Sequence, residues 1–504
     1  MGYGTIKCFI ALLARFQYRE CRLAIRRPVI DMTDRKPSIS NAASPRLRLI
    51  KYLHFVLSVL LFFAAWIYFR FPRGNIIWYG FRYNYFVAMA YGALLMWFNG
   101  VFNSYTLGYF RIRSLAFSQT LADFFSVVIT YLAVSLAWFR MLNPLAFLPL
   151  LIVQALLNCA WSYLATKYYY EIVRRYRTAV IYRNEEDLRR FGDISGQPVE
   201  RLFRVETFIR CSGADFETVR AQIGDCDAIF VTGADSALTN ALSAYCIQND
   251  VRGFFLPPVG NVIMAGARHI KSFSSPVFSV RRATKPLEYQ VVKRCFDIFF
   301  SLVFLVLTSP LMLGVALAIK LYDGGPVFYR QVRLTKDGKP FKILKFRSMR
   351  VDAEKDGVAR LSTGENDPRI TPVGRFIRAC RMDELPQLFN ILIGEMSIVG
   401  PRPERPEIAA EYEKILPEFA LRLQVKAGLT GYAQVYGKYN TSPYEKLEFD
   451  LLYINEMNIL TDLELMFNTF RILFYKDSTE GFESQIPWLA EEEKKTEEDE
   501  ELHV

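Results

Sequence analysis

The sequence predicts a membrane protein of mixed class. It has three parts: a four-helix transmembrane bundle, a Rossmann-like cytosolic α/β domain, and an α+β domain with a re-entrant membrane helix. Three observations predict it. Four apolar spans run near 52–69, 84–102, 117–139 and 146–166. Short apolar strands alternate with helical segments from about 172 to 282. The third region, 289–476, opens on an apolar helix interrupted by Ser309-Pro310 and carries a dense run of acids and arginines.

A chain of 504 residues exceeds one compact domain and suits about three units. Hydrophobic residues make up 52% and aromatics 15%, which points to a membrane. The net charge of +11 would attract nucleic acid or an anionic membrane face. The apolar spans favour the membrane, so nucleic acid is not expected as a partner. Eight scattered cysteines without C-x-x-C spacing, and three histidines, argue against a zinc site or a disulfide framework.

Residues 1–48 are basic. Thr5 to Ile30 reads as an amphipathic helix lying on the membrane, or as sequence ahead of a true start at Met32. Each of the four spans is long enough for a hydrocarbon core of ~30 Å. Arg46, Arg48 and Lys51 precede the first span, and Lys167, Arg174, Arg175 and Arg177 follow the fourth. The positive-inside rule then places both ends of the 49–168 bundle in the cytosol. Arg70, Arg73 and Arg82 in the first outer loop count against this without reversing it, and the second outer loop carries only Arg140. Asp123 falls within the third span, where an acid is a functional candidate unless it sits at the interface.

In the 172–282 unit, Ala179 to Tyr182, Ala228 to Thr232 and Gly253 to Leu256 read as buried strands. Glu185 to Phe191 and Ala237 to Gln248 read as helices, and the alternation suggests a parallel sheet. The first strand runs into Arg183-Asn184-Glu185-Glu186 where a dinucleotide fold needs its glycine-rich turn. A structural, regulatory or dimerising role is therefore favoured over NAD binding.

Phe296 to Ile319 is apolar and long enough to span, but Pro310 lacks the N–H that an interior helical position uses. The neighbouring Ser309 can satisfy a freed carbonyl. Lys293 and Arg294 precede this helix (296–320) and Lys320 follows it. If both ends prefer the cytosol, the helix enters and returns on one side. Beyond it, Phe341 to Phe346 reads as a strand. Continued through Arg347, it would put Lys345 and Arg347 on one face, where two cations suit a diphosphate. A solvated face is the plainer reading of such a pair alone. Arg350 to Glu365 is a polar loop, and 489–504 is an acidic tail expected to be disordered.

The stretch from Arg378 to Pro403 reads RACRMDELPQLFNILIGEMSIVGPRP. Asp383 and Glu384 stand at what reads as a helix start, with Pro386 tolerated in the first turn and Gly394 as a stop. Neighbours on a helix point about 100° apart, so the two acids take separate roles rather than pair. Arg375, Arg378, Arg381 and Arg402 suit phosphate recognition. Acids beside guanidinium groups suggest phosphoryl transfer with a divalent metal. Two acids capping a helix would be the plain alternative.

This stretch resembles the signature of the bacterial sugar transferases, the polyprenyl-phosphate hexose-1-phosphate transferases. So do QVRLTKDGKPFKILKFRSM (331–349), DPRITPVGRFIR (367–378) and VKAGLTGYAQVYG (425–437). The resemblance covers roughly Tyr289 to Tyr475, and more weakly the rest, as in the multi-span branch of the family. It implies a catalytic α+β domain that moves a sugar-1-phosphate from a UDP-sugar to undecaprenyl phosphate at the cytosolic face of the bacterial inner membrane, releasing UMP. This would be the first membrane step in making an exopolysaccharide, capsule or O-antigen.

The resemblance also implies residue roles. Asp383 would be the nucleophile and Glu384 the Mg²⁺ ligand. Lys345, Arg347, Arg375, Arg378 and Arg402 would hold substrate, and Ser309-Pro310 would break the re-entrant helix. A homodimer is an expectation from multi-span relatives. Arg381 stands where relatives often have a small hydroxyl residue, which leaves the helix cap open. Two other classes remain: a non-enzymatic membrane scaffold or sensor for polymer export, and a glycosyltransferase that moves the sugar without phosphate. No motif names the sugar.

Overall fold

The computed structural model describes residues 45–70, 81–139, 141, 143–173, 175–194, 202–270, 277–283, 285–350, 369–437 and 442–473. The basic segment before Pro45, Arg73, Arg140, Arg174, the polar loop 351–368 and the acidic tail lie outside these residues.

All four expected spans form helices: α1 (Pro45–Arg70), α2 (Phe81–Val101), α3 (Ile112–Ala137) and α4 (Leu148–Ile172). Among the described residues, four helices are long and apolar enough to cross a membrane. They are α1, α3, α4 and α9 (Leu287–Asp323). The helix α2 forms where the sequence places it, but Tyr83, Asn84, Tyr85 and Asn99 lower its apolar content. Its inward face is nonetheless part of the bundle core, where Phe62 and Tyr91 stack at 3.9 Å beside Leu95 and Phe98. Leu60, Met89, Leu132 and Leu156 are exposed, as an apolar solvent requires.

A polar network lies inside that core. Asp123 accepts from Tyr91 Oη at 3.1 Å and from Asn158 Nδ2 at 2.8 Å. The other end of Asn158 lies 3.0 Å from His54 Nε2. Because the Asn158 amide donates to Asp123, its oxygen faces His54, and His54 must carry its proton on Nε2. Gln154 Nε2 donates to Tyr91 Oη at 2.9 Å. All four helices thus meet at one hydrogen-bonded site, which fixes their register.

The second part is a four-stranded parallel sheet in the order β2-β1-β3-β4, built from β1 (Tyr176–Tyr182), β2 (Phe203–Arg210), β3 (Ala228–Val231) and β4 (Arg252–Phe255). Helices α5 (Glu185–Ile194), α6 (Phe216–Ile223) and α7 (Ser236–Asn249) make the crossovers, and α8 (Val259–Ala265) leads out. Sequence reading missed β2 and α6. The strand alternates charged and apolar residues (FRVETFIR) at the sheet edge and lacks the continuous apolar run of β1 and β3. At the carboxyl ends of β1 and β3, Gly233 (φ +69°) lies against Asp187. A Cβ there would sit 1.9 Å from the Asp187 carboxylate, so only glycine fits.

A short hairpin, β5 (Arg268–Ile270) with β6 (Val277–Ser279), precedes the third part. This part opens on α9, a 37-residue helix that continues through Pro310. Ser309-Pro310, where the sequence places a break, lies inside this one helical element. Pro310 cannot donate to the carbonyl four residues back, Val306, and Ser309 Oγ donates to it instead at 2.8 Å. The substitution lets the helix run on.

Polar contacts tie α9 down at both ends. In its first turns, Arg294 donates to the carbonyls of Ile391 and Leu392 at 2.6 Å each. Asp297, 3% exposed, accepts from Ser397 Oγ and Ile398 N. At its far end, Met312, Val315 and Ile319 share a core with Phe346 and Ile377, and Asp323 pairs with Arg347. Between these ends Val306, Leu307 and Leu313 are exposed.

The remaining elements are the antiparallel pair β7 (Phe328–Leu334) and β8 (Pro340–Phe346), then α10 (Pro372–Ala379), α11 (Gln387–Ile393) and β9 (Ser397–Val399). After these come α12 (Pro406–Ile415), β10 (Gly428–Thr430) parallel to β9, α13 (Tyr432–Tyr436), α14 (Pro443–Glu456) and α15 (Ile459–Leu473). The last helix reaches back to the bundle. Asn468 and Arg471 donate to the carbonyls of Val101 and Phe102, and Phe467 packs on Phe98 and Phe125.

Replacing the bundle's polar centre should loosen it. We expect Asn158→Leu to destabilise the full-length protein by about 1–3 kcal/mol, and outward-facing Leu156→Ala by under about 0.5, in denaturant titrations in detergent. Equal effects would deny the network a role in holding the helices.

Candidate active site

The acid pair sits on a short 3₁₀ turn, Met382–Glu384, between α10 and α11. The sequence placed it in the first turn of an α-helix. The structure puts it one turn earlier, because Pro386 caps α11 and the helix proper starts at Gln387. Arg381, just before the turn, has φ +51°, a left-handed conformation unusual for arginine, and makes no side-chain cap. That kink separates α10 from the acids and directs them toward β8.

Glu384 is anchored by two cations. Lys345 Nζ, from β8, lies 2.9 Å from its Oε1, and Arg402 Nη2 lies 2.7 Å from the same oxygen. Burial alone would raise the Glu384 pKa. Arg402, Lys345 and Arg381 outweigh it and hold the group well below the usual carboxylate range. Asp383 has the opposite balance. Burial first, and then the neighbouring Glu384 charge, push it up to about 6 against the pull of Lys345, Arg378 and Arg402. Two adjacent acids thus divide into one fixed anion and one carboxyl poised near neutrality.

The predicted cations separate into two groups. Lys345 and Arg402 touch Glu384, and Arg378 acts on Asp383 while its Nε donates to Ser348 Oγ at 2.8 Å. Arg375 is exposed on α10, one turn before Arg378. Arg347 does not share a face with Lys345 toward the acids. The strand ends at Phe346, and Arg347 instead binds Asp323 and the carbonyl of Pro326 at 2.7 Å. Its side chain is 7% exposed, so it clamps the end of α9.

Backbone geometry sets Arg402. Val399-Gly400-Pro401-Arg402 runs beside the Gly428 to Gly431 loop. Gly400 N donates to Thr430 O, and Gly428 N to Pro401 O, both at 2.8 Å. A Cβ on Gly428 would fall 2.1 Å from Gly400 N, so this approach needs glycine. Asn390 joins α11 to β8, accepting from Leu344 N and donating to Lys342 O, both at 2.9 Å. Sequence reading took Arg294 only as a flanking charge and missed Asp297, Ser348 and Asn390. Each acts across a long separation in the chain, and only the two ion-forming residues Arg294 and Asp297, at the border of an apolar run, gave any local signal.

The two acids should answer opposite ways to neutralisation. Glu384 is stabilising above its unfolded value of 4.5, and that contribution is lost as pH falls through the depressed folded value. Ionised Asp383 carries a penalty at neutral pH. We expect Glu384→Gln to lower the thermal midpoint, and Asp383→Asn to leave it unchanged or raise stability by about 1–2 kcal/mol. Equal destabilisation by both would contradict the division.

Residues 288–476 match the family model described as bacterial sugar transferase. The chain is 38% identical over 248 residues to the UDP-glucose:undecaprenyl-phosphate glucose-1-phosphate transferase of Klebsiella pneumoniae, covering 48% of this chain and 51% of that protein. It is 42% identical over 211 residues to the Escherichia coli K12 protein of the same name, covering 41% and 43%. These matches span about half the length of those relatives or less. The exopolysaccharide production protein PSS of Rhizobium leguminosarum bv. phaseoli is 42% identical over 188 residues, which are 36% of this chain and 93% of that protein. Acid pair, arginine loop and paired glycines all fall inside the matched segment, and the chain belongs to the bacterial sugar transferase family.

Proposed function

We propose that this chain is a phosphotransferase that moves a sugar-1-phosphate from a UDP-sugar to undecaprenyl phosphate and releases UMP. The observation that carries this is the geometry of the acid pair: Asp383 stands beside Glu384, whose Oε1 is held by both Lys345 and Arg402. The names of the relatives support the substrate pair. An Asp383 oxygen attacks the phosphorus that bears the sugar. The bond from that phosphorus to the UMP oxygen breaks, leaving an aspartyl phosphosugar. An oxygen of undecaprenyl phosphate then attacks the same phosphorus, frees the Asp383 carboxylate and forms the lipid diphosphate sugar. The PSS name supports a place in exopolysaccharide assembly.

Lys345, Arg378 and Arg402 would orient phosphate oxygens, with the exposed Arg375 at the approach. Arg347 enters as the residue that fixes the end of α9. Among the described residues no group of three or more His, Cys, Asp or Glu gathers to hold a metal. A Mg²⁺ bound by one carboxylate and substrate phosphates needs no such cage, and the donor set fits it. Both cations bond Glu384 through Oε1, and Glu384 would be the residue that holds the ion. When bound, Mg²⁺ would neutralise diphosphate charge.

The cytosolic face of the inner membrane is the proposed location. Arg46, Arg48, Arg111, Arg113 and Lys167 lie toward the same end of the bundle as the contacts made by α15. A re-entrant course for α9 is supported by its two ends. A straight helix of this length would measure about 55 Å. Yet Arg294 holds α11, and Asp323 holds the residue just past β8, to which Asn390 of α11 is bonded. Both contacts lie in one compact domain. That course would hold the acids at the bilayer surface, where soluble donor and lipid acceptor meet. A homodimer remains part of the proposal.

Purified protein in nanodiscs, given a panel of UDP-sugars, undecaprenyl phosphate and Mg²⁺, should release UMP with one donor. Asp383→Asn and EDTA should abolish release. The rate should rise with pH through about 6 as Asp383 ionises. UDP release would instead indicate plain glycosyl transfer, and no nucleotide with any donor would favour the scaffold class. A thiol placed after Lys320 should resist an impermeant reagent applied to intact cells; labelling from outside would exclude the re-entrant course.

A further inference from the structure

Arg402 is flanked by Pro401 and Pro403, which bring no N–H, so the loop is shaped through its carbonyls. Each carbonyl has its own donor. Gly428 N serves Pro401 O at 2.8 Å, Arg422 Nη2 serves Arg402 O at 2.8 Å, and Arg333 Nη1 serves Pro403 O at 3.1 Å. Arg422 is the donor that grips the residue touching Glu384. Its side chain is 3% exposed, whereas that of Arg402 is 41% exposed.

Arg422 is itself held from behind. Its Nη2 pairs with Asp450 at 2.7 Å, its Nη1 lies 3.7 Å from Glu404, and its guanidinium sits over the Phe419 ring. Glu404 also faces Arg333 and Lys446. Yet Arg422 leaves Nε and Nη1 without a hydrogen bond, beside a small cleft walled by Leu334, Phe419 and Val425, and divides Nη2 between the Arg402 carbonyl and Asp450.

We propose that Arg422 is a positioning residue of the transferase site: through the Arg402 carbonyl it sets the guanidinium that anchors Glu384. The proposal rests on the transferase reading for its kinetic consequence, but its geometric consequence stands apart from it. When Arg422 no longer holds the loop, Arg402 leaves Glu384, whose Oε1 then keeps Lys345 alone. The sequence offers no local cue, since Arg422 lies 38 residues beyond Glu384.

The test uses the full chain in nanodiscs. Two charge-balanced variants avoid stranding Asp450: Arg422→Met with Asp450→Leu, and Arg422→Gln with Asp450→Asn. Arg422→Lys is the conservative comparison. With the donor that wild type accepts, we expect kcat to fall about 10–100-fold in both double variants with donor KM changed less than about threefold, and Arg422→Lys to recover most of the loss. Independently of turnover, carbodiimide and amine labelling read by peptide mass spectrometry should be several-fold faster at Glu384 in the double variants and unchanged at Glu448. Wild-type labelling and wild-type kcat in either folded double variant would overturn the proposal. So would faster labelling at both glutamates alike, which marks general loosening. If wild type turns over no donor, the transferase reading fails, and labelling at Glu384 still decides whether Arg422 sets Arg402.

Discussion

The site depends on one oxygen atom, Oε1 of Glu384, shared between Lys345 and Arg402. The two cations come from β8 and from the loop after β9, so a single carboxylate joins three chain segments. Charge follows from that geometry. Arg402 and Lys345 keep Glu384 an anion, whereas burial, and then that neighbouring charge, makes Asp383 ionise reluctantly, so the pair acquires two characters from nearly identical chemistry.

The same economy of contacts governs how the domain meets the membrane. The helix α9 offers apolar side chains to its surroundings along its middle, while its charged residues are confined to its ends. Lys293 spans the Val399 carbonyl and Asp462, and Asp297 holds the start of β9, so the strand that leads to Arg402 is fixed by the membrane helix itself. From the other side, α15 caps the end of α2 and packs Phe470 against Phe304 of α9. Bundle, membrane helix and acid pair are thereby parts of one packed unit.

Hydropathy made the spans legible, because α1 to α4 and α9 are stretches whose apolar length has few other uses. The parallel sheet was legible where strands are buried on both faces, as in β1 and β3, and illegible at β2, an edge strand with charged residues in alternation. The acid pair and its arginines stood out by composition. Their assignment to roles did not, since that depends on partners brought from distant parts of the chain. Lys345 and Arg347 are two residues apart, yet one anchors Glu384 and the other Asp323 at the end of α9. The placement of the acids on a 3₁₀ turn was equally hidden, because it follows from the backbone at Arg381, where the side chain gives no warning. Pro310 suggested a break, and at that place the Ser309 hydroxyl serves the carbonyl that the proline cannot.

The claim that Asp383 is the nucleophile and Glu384 its fixed companion is the centre of this account. It is tested most directly by acid-quenching the protein with its UDP-sugar donor in the absence of lipid acceptor and sequencing the modified peptide by mass spectrometry. The account predicts a phosphosugar adduct on Asp383 that disappears when undecaprenyl phosphate is added. An adduct on Glu384, or continued turnover with no adduct on either acid, would contradict it.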